Sequence, residues 1–227
     1  MSDCQGEPTD ILEQKKLLRK EIRAKTRALD GDAIATQSSL VWQRIFALPL
    51  YKSAKSIGLF LSMPSNEINT DEILQDAIKG GKDIYVPQVG MNFEKCDMEL
   101  LKVVLDDSMK QEEKEEFHKH WPKNKWKIPE PPTDMPILPA KPGDIDLLIV
   151  PGLGFDRFGG RIGQGKGYYD RFIARMNSGQ ASMPLVAVGL APQLVEGQIP
   201  VSAHDQKMDM VVLPDKVIEN RTTNTQL

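Results

Sequence analysis

Cysteine and histidine are scarce in this sequence, with two cysteines and three histidines among 227 residues. Cys4 and Cys96 have no paired spacing, which predicts a reducing compartment and no disulfide framework. No apolar run reaches the length of about 20 residues that crosses a bilayer, and the first thirty residues are too polar for a secretory signal. Positive charge is not in excess either, because the net charge is −3, and this disfavours a nucleic-acid partner bound through its phosphates. We therefore expect a cytoplasmic protein with no membrane partner and no nucleic-acid partner.

Apolar residues are frequent enough for a large core, at 40% of the chain beside 27% charged residues. Buried strands are predicted at 56–61, 83–87, 98–104, 145–150, 185–190 and 210–213. A helix predicted over 70–79 joins the first two strands into a βαβ unit, so the sheet should be mainly parallel. This pattern predicts an α/β fold with three layers, in which an open, mainly parallel sheet is flanked by helices. We expect a single domain over residues 1–227, with disordered tails at 1–8 and 219–227.

The first predicted helix begins at Asp10 and is strongly basic. Its apolar face carries Ile11, Leu18, Ile22 and Leu29 at spacings of seven, four and seven residues. Lys15 and Arg19 lie one turn apart at the edge of this face. Their aliphatic stems can cover the core there, and we expect their charged ends to stay in water.

Residues 106–120 form an acidic run that predicts a solvated surface segment. His118 and His120 lie within it, and we expect them to be exposed, with a metal site as the less favoured alternative. Six prolines between Trp126 and Pro142 predict an extended, ordered loop after this segment. The pattern alone assigns no chemistry to either segment.

Residues 151–170 hold the most informative pattern, seven glycines among 20 residues directly after the strand predicted at 145–150. A helix predicted over 169–176 follows, so the loop lies at the carboxyl end of a parallel strand, where α/β folds bind ligands. Glycines let backbone N–H groups approach an anion closely, and the N-terminus of the following helix adds to this attraction. Lys166 adds a compact positive charge that can bind phosphate. Arg161 adds a guanidinium group that can bind phosphate through two hydrogen bonds at once. The loop therefore predicts a phosphate-binding site.

Two known phosphate-binding fingerprints come close to this loop without matching it. The dinucleotide pattern G-x-G-x-x-G fails because the glycines stand at 163, 165 and 167. The P-loop pattern runs from Gly160 to Lys166 but has Gly167 where a hydroxyl would bind magnesium. A bound metal ion would then need a carboxylate, for which Asp170 and Asp205 are the candidates. The alternative to a phosphate site is a loop that only connects the strand to the helix. In that case the charged and aromatic residues of the loop would have no role.

Taken whole, the loop resembles the signature of the 5-formyltetrahydrofolate cyclo-ligase family, also called methenyltetrahydrofolate synthetases. Four more segments resemble blocks of that family in the same order: Lys15-x-x-x-Arg19, then 61–67, 126–131 and 199–205. Together the blocks cover residues 12–213. The resemblance implies a three-layer fold like that of sugar-phosphate isomerases and coenzyme A transferases. It also implies an ATP- and magnesium-dependent ligase that converts 5-formyltetrahydrofolate to 5,10-methenyltetrahydrofolate through a phosphorylated formyl group, releasing ADP and phosphate.

The resemblance further implies a role for each matching residue. ATP would contact Lys15, Arg19, Arg161, Ile162, Gly163, Gln164, Gly165, Lys166, Gly167, Tyr168 and Tyr169, with Lys166 and Arg161 catalytic. The folate would contact Leu61, Glu67, Gln164, Gly165, Lys166, Gly167 and Tyr168, and Mg2+ would bind Asp170 and Asp205. Gln164 departs from the family pattern, since a basic residue is common at its position. The expected partners are these small molecules, bound by a monomer.

Two other functions remain open on the sequence. A relative of the sugar-phosphate isomerases or coenzyme A transferases would need a catalytic carboxylate at a strand end, and it would use neither ATP nor the basic first helix. A nucleotide sensor would bind ATP without turnover and would have no affinity for folate. Neither a Ser-His-Asp nor a Cys-His arrangement is recognisable, so we expect no protein nucleophile and an inert Cys96.

Overall fold

A computed structural model describes residues 9–89, 98–106, 108–132, 134–178 and 182–220. The strands are β1 (Ser56–Gly58), β2 (Asp83–Val89), β3 (Met98–Lys102), β4 (Leu147–Val150), β5 (Gly154–Phe155), β6 (Arg161–Ile162), β7 (Leu185–Val188), β8 (Met210–Val212) and β9 (Val217–Glu219). The helices are α1 (Thr9–Arg27), α2 (Gly31–Ala47), α3 (Pro49–Ser53), α4 (Asp71–Lys79), α5 (Gln111–Glu115) and α6 (Tyr168–Met176). Within these ranges, no helix combines the length and the apolar character that a membrane span needs. Both cysteines and the tail predicted at 1–8 lie outside the described residues.

Seven strands form one sheet in the order β3-β2-β1-β4-β7-β8-β9, and β5 and β6 form a separate hairpin. The five inner strands are parallel, whereas the edge strands β3 and β9 pair antiparallel with their neighbours. The predicted βαβ unit is present as β1, α4 and β2. The prediction of an open, mainly parallel sheet is therefore confirmed.

Helices cover both faces of this sheet, which explains why the strand sequences are apolar throughout. Leu147 and Ile149 of β4 pack in one core cluster with residues of α2 and α4. Leu148 and Val150 of the same strand pack in a second cluster with residues of α6. Successive side chains of a strand point to opposite faces, so these clusters lie on opposite sides of the sheet. This arrangement confirms the predicted three layers.

Helix α1 packs against the glycine-rich loop. Ile22 is buried in a third cluster with Leu153, Ile162 and Ile199. The first two partners belong to the loop after β4, and the third belongs to the segment that precedes β8. The apolar face predicted around Ile22 thus brings the basic helix to the predicted phosphate site.

The strand order reverses between β1 and β4. From β1 the chain moves outward to β2 on one side, and from β4 it moves to β7 and β8 on the other. In open α/β sheets, ligands bind in the crevice at such a point, beyond the carboxyl ends of the strands. Segment 59–70 leaves β1 there, and segment 151–167 leaves β4. Both segments that were predicted to bind ligands therefore border one crevice.

Three local predictions differ from the structure. Glu219 ends β9 and does not open a disordered tail, because β9 pairs with β8, and residues 221–227 lie outside the described ranges. The loop after β4 contains the hairpin of β5 and β6, which was not predicted. His118 is buried, with its Nε2 lying 3.0 Å from Asp71 Oδ1. This part of the acidic segment is therefore fixed to the start of α4 and is not exposed.

Candidate active site

A buried carboxylate organises the glycine-rich loop. Asp156 is fully buried, and its Oδ1 accepts hydrogen bonds from the backbone N–H groups of Phe158 and Gly160 at 2.8 and 2.7 Å. Its Oδ2 accepts a hydrogen bond from the N–H of Ile199 at 2.7 Å. Gly160 has no room for a side chain, since an added Cβ would overlap the Asp156 carboxylate. Asp156 therefore fixes the turn between β5 and β6 and ties it to segment 199–206.

Arg161 and Asp170 form a buried ion pair between β6 and the first turn of α6. Arg161 Nη2 lies 2.8 Å from Asp170 Oδ2, and Nη1 donates to the carbonyl of Pro151 at 3.3 Å. The Arg161 guanidinium also lies 5.7 Å from the centroid of the Tyr169 ring. Its Nε is buried, with no hydrogen-bond partner among the described residues. A buried donor without a partner costs free energy, so a ligand oxygen at this point would be stabilising.

Lys15 and Asp205 form a second ion pair at the site. Lys15 Nζ lies 2.7 Å from Asp205 Oδ2, and the two side chains are 5% and 20% exposed. The N–H and the hydroxyl of Ser202 donate to the same oxygen at 2.6 and 3.1 Å. Burial raises the pKa of Asp205, but the hydrogen bonds from Lys15 and Ser202 outweigh burial and hold this pKa below its ordinary value. The prediction that the charged end of Lys15 stays in water is wrong, because Asp205 provides a partner inside the fold.

Arg19 and Arg23 follow Lys15 at one-turn intervals and contact the loop directly. Arg19 Nε donates to the carbonyl of Gly163 at 2.9 Å. Arg23 Nη2 donates to Gln164 Oε1 at 2.6 Å. The basic face of α1 therefore borders the outer part of the glycine-rich loop.

Asp170 and Asp205 are brought close together by Gln206. The backbone N–H of Gln206 donates to Asp170 Oδ1 at 3.1 Å, and Gln206 directly follows Asp205 in the chain. Across the described ranges, no cluster of three or more His, Cys, Asp or Glu side chains could hold a metal ion by itself. Magnesium that binds together with a nucleotide needs one or two carboxylates, because phosphate and water supply the other ligands. The two carboxylates therefore fit magnesium bound with a nucleotide.

Glu67 lies in the segment that follows β1. Its Oε2 accepts a hydrogen bond from the N–H of Met63 at 2.8 Å. Burial raises the pKa of Glu67 to about 7, and the hydrogen bond from Met63 lowers it only in part. Burial, and to a lesser degree the charge of Glu67, raises the pKa of Tyr169 in α6. Glu67 and Tyr169 therefore lie close enough to interact, and the segments that leave β1 and β4 meet there.

Helix α2 holds the segment that carries Glu67. Trp42 Nε1 donates to the carbonyl of Asn69 at 2.6 Å, and Ser38 Oγ accepts from the N–H of the same residue at 3.0 Å. Leu61, at the start of the segment, is 3% exposed and belongs to the main core. Leu61 is therefore a core residue, whereas Glu67 is partly exposed.

The sequence model of the 5-formyltetrahydrofolate cyclo-ligase family matches residues 11–214 of this chain. The chain belongs to this family. The 5-formyltetrahydrofolate cyclo-ligase of Mus musculus is 33% identical over 202 residues, which cover 88% of this chain and 94% of the mouse protein. The probable 5-formyltetrahydrofolate cyclo-ligase of Schizosaccharomyces pombe is 32% identical over 215 residues, which cover 91% and 98% of the two chains. Membership in the family assigns this chain to the ligases of folate metabolism.

A solved structure of the family supports the same assignment. The NMR structure of Aquifex aeolicus 5,10-methenyltetrahydrofolate synthetase matches this fold with a TM-score of 0.71 and 25% sequence identity. The match covers 94% of this chain and 96% of the Aquifex chain. The family resemblance inferred from the loop and its four accompanying segments is thereby confirmed.

The tip of the glycine-rich loop is open to solvent. Gln164, Gly165 and Lys166 are exposed, and Ile162 is buried in the cluster with α1. Gly165 and Gly167 have positive φ angles of 93° and 65°, which glycine adopts without strain. Because Gly167 caps the N-terminus of α6, the loop turns directly into that helix. Lys166 is therefore accessible to a ligand that binds at the start of α6.

Two residues of the segments that resemble the family, Trp126 and His204, add no side-chain hydrogen bond to this cluster within the described ranges. Trp126 is 45% exposed, with the Nζ of Lys125 4.4 Å from its ring centroid. Within the described part of the chain, its hydrogen bonds and ring contacts do not reach the glycine-rich loop. His204 is exposed, and its backbone carbonyl accepts a hydrogen bond from Gln206 Nε2 at 3.3 Å. The imidazole of His204 therefore has no part in the hydrogen bonds that hold Asp205.

Sequence reasoning missed three residues that shape the site: Asp156, Arg23 and Gln193. Gln193 is buried, and its Nε2 donates to the carbonyls of Gly152 and Leu153 at 2.7 and 3.0 Å. No local pattern marks Gln193, because its partners lie about 40 residues earlier in the chain. Arg23 could have been found, since it continues the four-residue spacing of Lys15 and Arg19.

Proposed function

We propose that this ligase converts 5-formyltetrahydrofolate and ATP into 5,10-methenyltetrahydrofolate, ADP and phosphate. The observation that carries the proposal is that two ion pairs, Arg161–Asp170 and Lys15–Asp205, meet beside an exposed glycine-rich loop. Cations and backbone N–H groups suit a triphosphate, and the carboxylates suit its magnesium ion. Glu67, on the segment from β1, suits a ligand edge that carries N–H donors.

The formyl oxygen is a poor leaving group, so the reaction has to activate it. In the proposed sequence, this oxygen attacks the terminal phosphorus of ATP, and the bond from that phosphorus to the bridging oxygen breaks, releasing ADP. The neighbouring exocyclic nitrogen then bonds to the formyl carbon and loses its proton, while the carbon–oxygen bond breaks and phosphate leaves. No step needs a protein nucleophile, and the protein contributes positioning and charge stabilisation.

The cations divide between binding and catalysis in this scheme. Lys166 and Arg161 would stabilise the charge on the transferring phosphoryl group, and Lys15 and Arg19 would hold the other phosphates. The buried Nε of Arg161 supports this role, because it is a donor that lacks an acceptor within the described residues. Segment 162–169 would wrap the triphosphate with its backbone N–H groups.

Asp170 and Asp205 would hold Mg2+ together with the nucleotide. Bound there, the ion would neutralise phosphate charge and polarise the terminal phosphoryl group. The N–H groups of Gln206 and Ser202 orient the two carboxylates, and Arg161 and Lys15 form ion pairs with them.

The folate would bind between the segment from β1 and the glycine-rich loop. The Glu67 carboxylate would accept two N–H groups of the pterin side by side. Tyr168, at the start of α6, would stack on the pterin ring, with segment 164–168 along its edge. One chain supplies all of these residues, so we expect a monomer to be active.

The contacts of α1 argue against an isomerase or coenzyme A transferase. Those activities have no use for a basic first helix, whereas Lys15 and Arg19 both reach the site. A nucleotide sensor would use the same cations and differs only in lacking folate affinity and turnover. Turnover is therefore the property that has to be measured.

The test mixes the protein with magnesium, ATP and 5-formyltetrahydrofolate and follows the near-ultraviolet absorbance of the methenyl product. We expect the absorbance to rise with wild-type protein and kcat/KM to fall about 100-fold in Lys166→Ala. Lys52→Ala serves as the matched control, because Lys52 is an exposed lysine of α3, ahead of β1 and at the opposite end of the sheet.

Three outcomes would contradict the proposal. Folded wild-type protein that gives no methenyl product would exclude the activity. ATP binding without product would favour a sensor. Full activity of Lys166→Ala would exclude the catalytic role of that lysine while leaving the reaction intact.

A further inference from the structure

Arg23 brings a positive charge to the rim of the glycine-rich loop, and in the described part of the chain no carboxylate pairs with it. Its Nη2 donates to Gln164 Oε1 at 2.6 Å, and this neutral amide is the one hydrogen-bond partner of the guanidinium among the described residues. Arg161 and Lys15 differ, since each is paired with a carboxylate. The amide of Gln164 therefore orients the guanidinium without neutralising its charge.

The position of Arg23 continues a row of cations along α1. Lys15, Arg19 and Arg23 recur every four residues and so lie on one side of the helix. Their contacts run along the site, from Asp205 through the carbonyl of Gly163 to Gln164. The row starts at a buried lysine and ends at an exposed hydrogen bond on the loop tip.

This geometry suits an extended polyanion. A triphosphate bound along segment 162–167 would have Lys15 at its inner end and Arg23 at its outer end. The Arg23 guanidinium has five N–H donors in a planar fork, and Gln164 uses one of its nitrogens. The remaining donors can reach an anion beside the loop tip, where Lys166 is also exposed.

We propose that Arg23 is an ATP-binding residue that contacts the phosphates and is held in position by Gln164. This inference rests on the proposed function, because it assigns a further binding contact to the same nucleotide site. Arg23 acts in binding, and the chemical step does not depend on it.

Separate titrations of the two substrates test this role. ATP binding with magnesium and without folate is measured by calorimetry, and folate binding is measured without ATP. Arg23→Gln should weaken ATP binding about tenfold. The variant should also make ATP affinity less sensitive to added salt, and its folate affinity should remain within about twofold of wild type. Arg23→Lys should restore part of the affinity, because it returns the charge without the fork.

Two further variants separate the charge from its orientation. Arg27→Gln is the matched control, because Arg27 is an exposed arginine at the last residue of α1, and its ATP affinity should equal that of wild type. Gln164→Ala should weaken ATP binding about threefold, since it removes the acceptor that orients Arg23 but keeps the charge. Melting temperatures close to wild type in all variants show that the fold is retained.

The outcomes distinguish this inference from the proposed function. ATP affinity unchanged in Arg23→Gln would overturn the role of Arg23 while leaving the reaction intact. A loss of folate affinity with ATP affinity unchanged would also overturn it. Wild-type protein that does not bind ATP would overturn the proposed function itself.

Discussion

Lys15 Nζ and Asp205 Oδ2 lie 2.7 Å apart, although 190 residues separate them in the sequence. The contact joins α1 to segment 199–206. Because Gln206 in that segment donates to Asp170, the same contact connects α1 to α6. One ion pair and one backbone hydrogen bond therefore cross-link three distant parts of the chain at the candidate site.

Lys15→Met should remove this cross-link together with one of the proposed phosphate contacts. Asp205 then keeps a largely buried carboxylate without its cation, so the free energy of unfolding should fall by about 2 kcal/mol. We expect kcat/KM to fall about 100-fold in the methenyl assay, because the variant also loses charge at the phosphates. Urea unfolding at pH 7 measures the loss of stability.

The free energy of unfolding, measured as a function of pH in the acid range, tests the same ion pair. The folded-state pKa of Asp205 is lowered, so its contribution to stability is complete above the ordinary carboxyl value and is lost as the pH falls through the depressed value. Lys15→Met should remove this contribution. Lys16→Ala is the matched control, since Lys16 is exposed and, among the residues that the structure describes, pairs only with Glu13 at 3.5 Å. An equal loss of activity in Lys16→Ala would contradict a specific role for Lys15.

Glu67→Gln tests a pH dependence of stability that is opposite in sign to the one that Asp205 contributes. Burial raises the pKa of Glu67 from 4.5 to about 7, so between these values the unfolded chain releases a proton that the folded chain keeps. Wild-type stability should therefore fall as the pH rises through this window, by an amount on the order of 2 kcal/mol. The variant has no proton to release and should lack this part of the fall. Urea unfolding at pH 5 and pH 8 measures the difference.

Folate binding gives Glu67 a second readout. If the ionised carboxylate binds the pterin, wild-type folate affinity should rise with pH through about 7. Glu67→Gln should bind folate about tenfold more weakly and lose this rise, since an amide offers one acceptor oxygen. Glu196→Gln, at an exposed carboxylate, should behave as wild type in both measurements. A wild-type affinity that does not change between pH 6 and pH 8 would rule out this role.

Local sequence patterns predicted the buried strands and the position of the glycine-rich loop. The apolar runs around Ile57 and Ile149 mark strands buried on both faces, and both lie in the main core. Glycines after the most apolar strand placed the candidate site at a strand end, and segment 151–167 lies there. Short elements without periodicity were missed, such as the two-residue strands β5 and β6 and the edge strand β9.

Contacts between distant residues explain the other errors. The helical pattern of α1 places Lys15 at the edge of an apolar face, but only Asp205, far along the chain, determines that its Nζ is buried. In the same way, His118 stands in an acidic run that suggests exposure, and its burial depends on Asp71 at the start of α4. Sequence spacing predicts which residues share an element, whereas these pairings depend on the assembled fold.

The role of Asp156 leads to a prediction that separates positioning from stability. Asp156→Asn can keep its oxygen toward the N–H groups of Phe158 and Gly160, but it then points an NH2 group at the N–H of Ile199. The turn between β5 and β6 should survive, while segment 199–206 loses its tie to the loop. We expect the free energy of unfolding to fall by about 2 kcal/mol.

Magnesium dependence reports the positioning role of Asp156, because Asp205 lies on the segment that Asp156→Asn releases. The magnesium concentration that gives half-maximal activity should rise about tenfold, as is common when a group that orients metal ligands is removed. Asp209→Asn is the matched control, since Asp209 accepts the N–H of Leu185 at 2.8 Å at the amino-terminal ends of β7 and β8, away from the site. It should lose stability without a change in magnesium dependence. If Asp156→Asn also loses stability without a change in magnesium dependence, the positioning role is excluded. Asp156 would then contribute only to stability, and other contacts would set the spacing of Asp170 and Asp205.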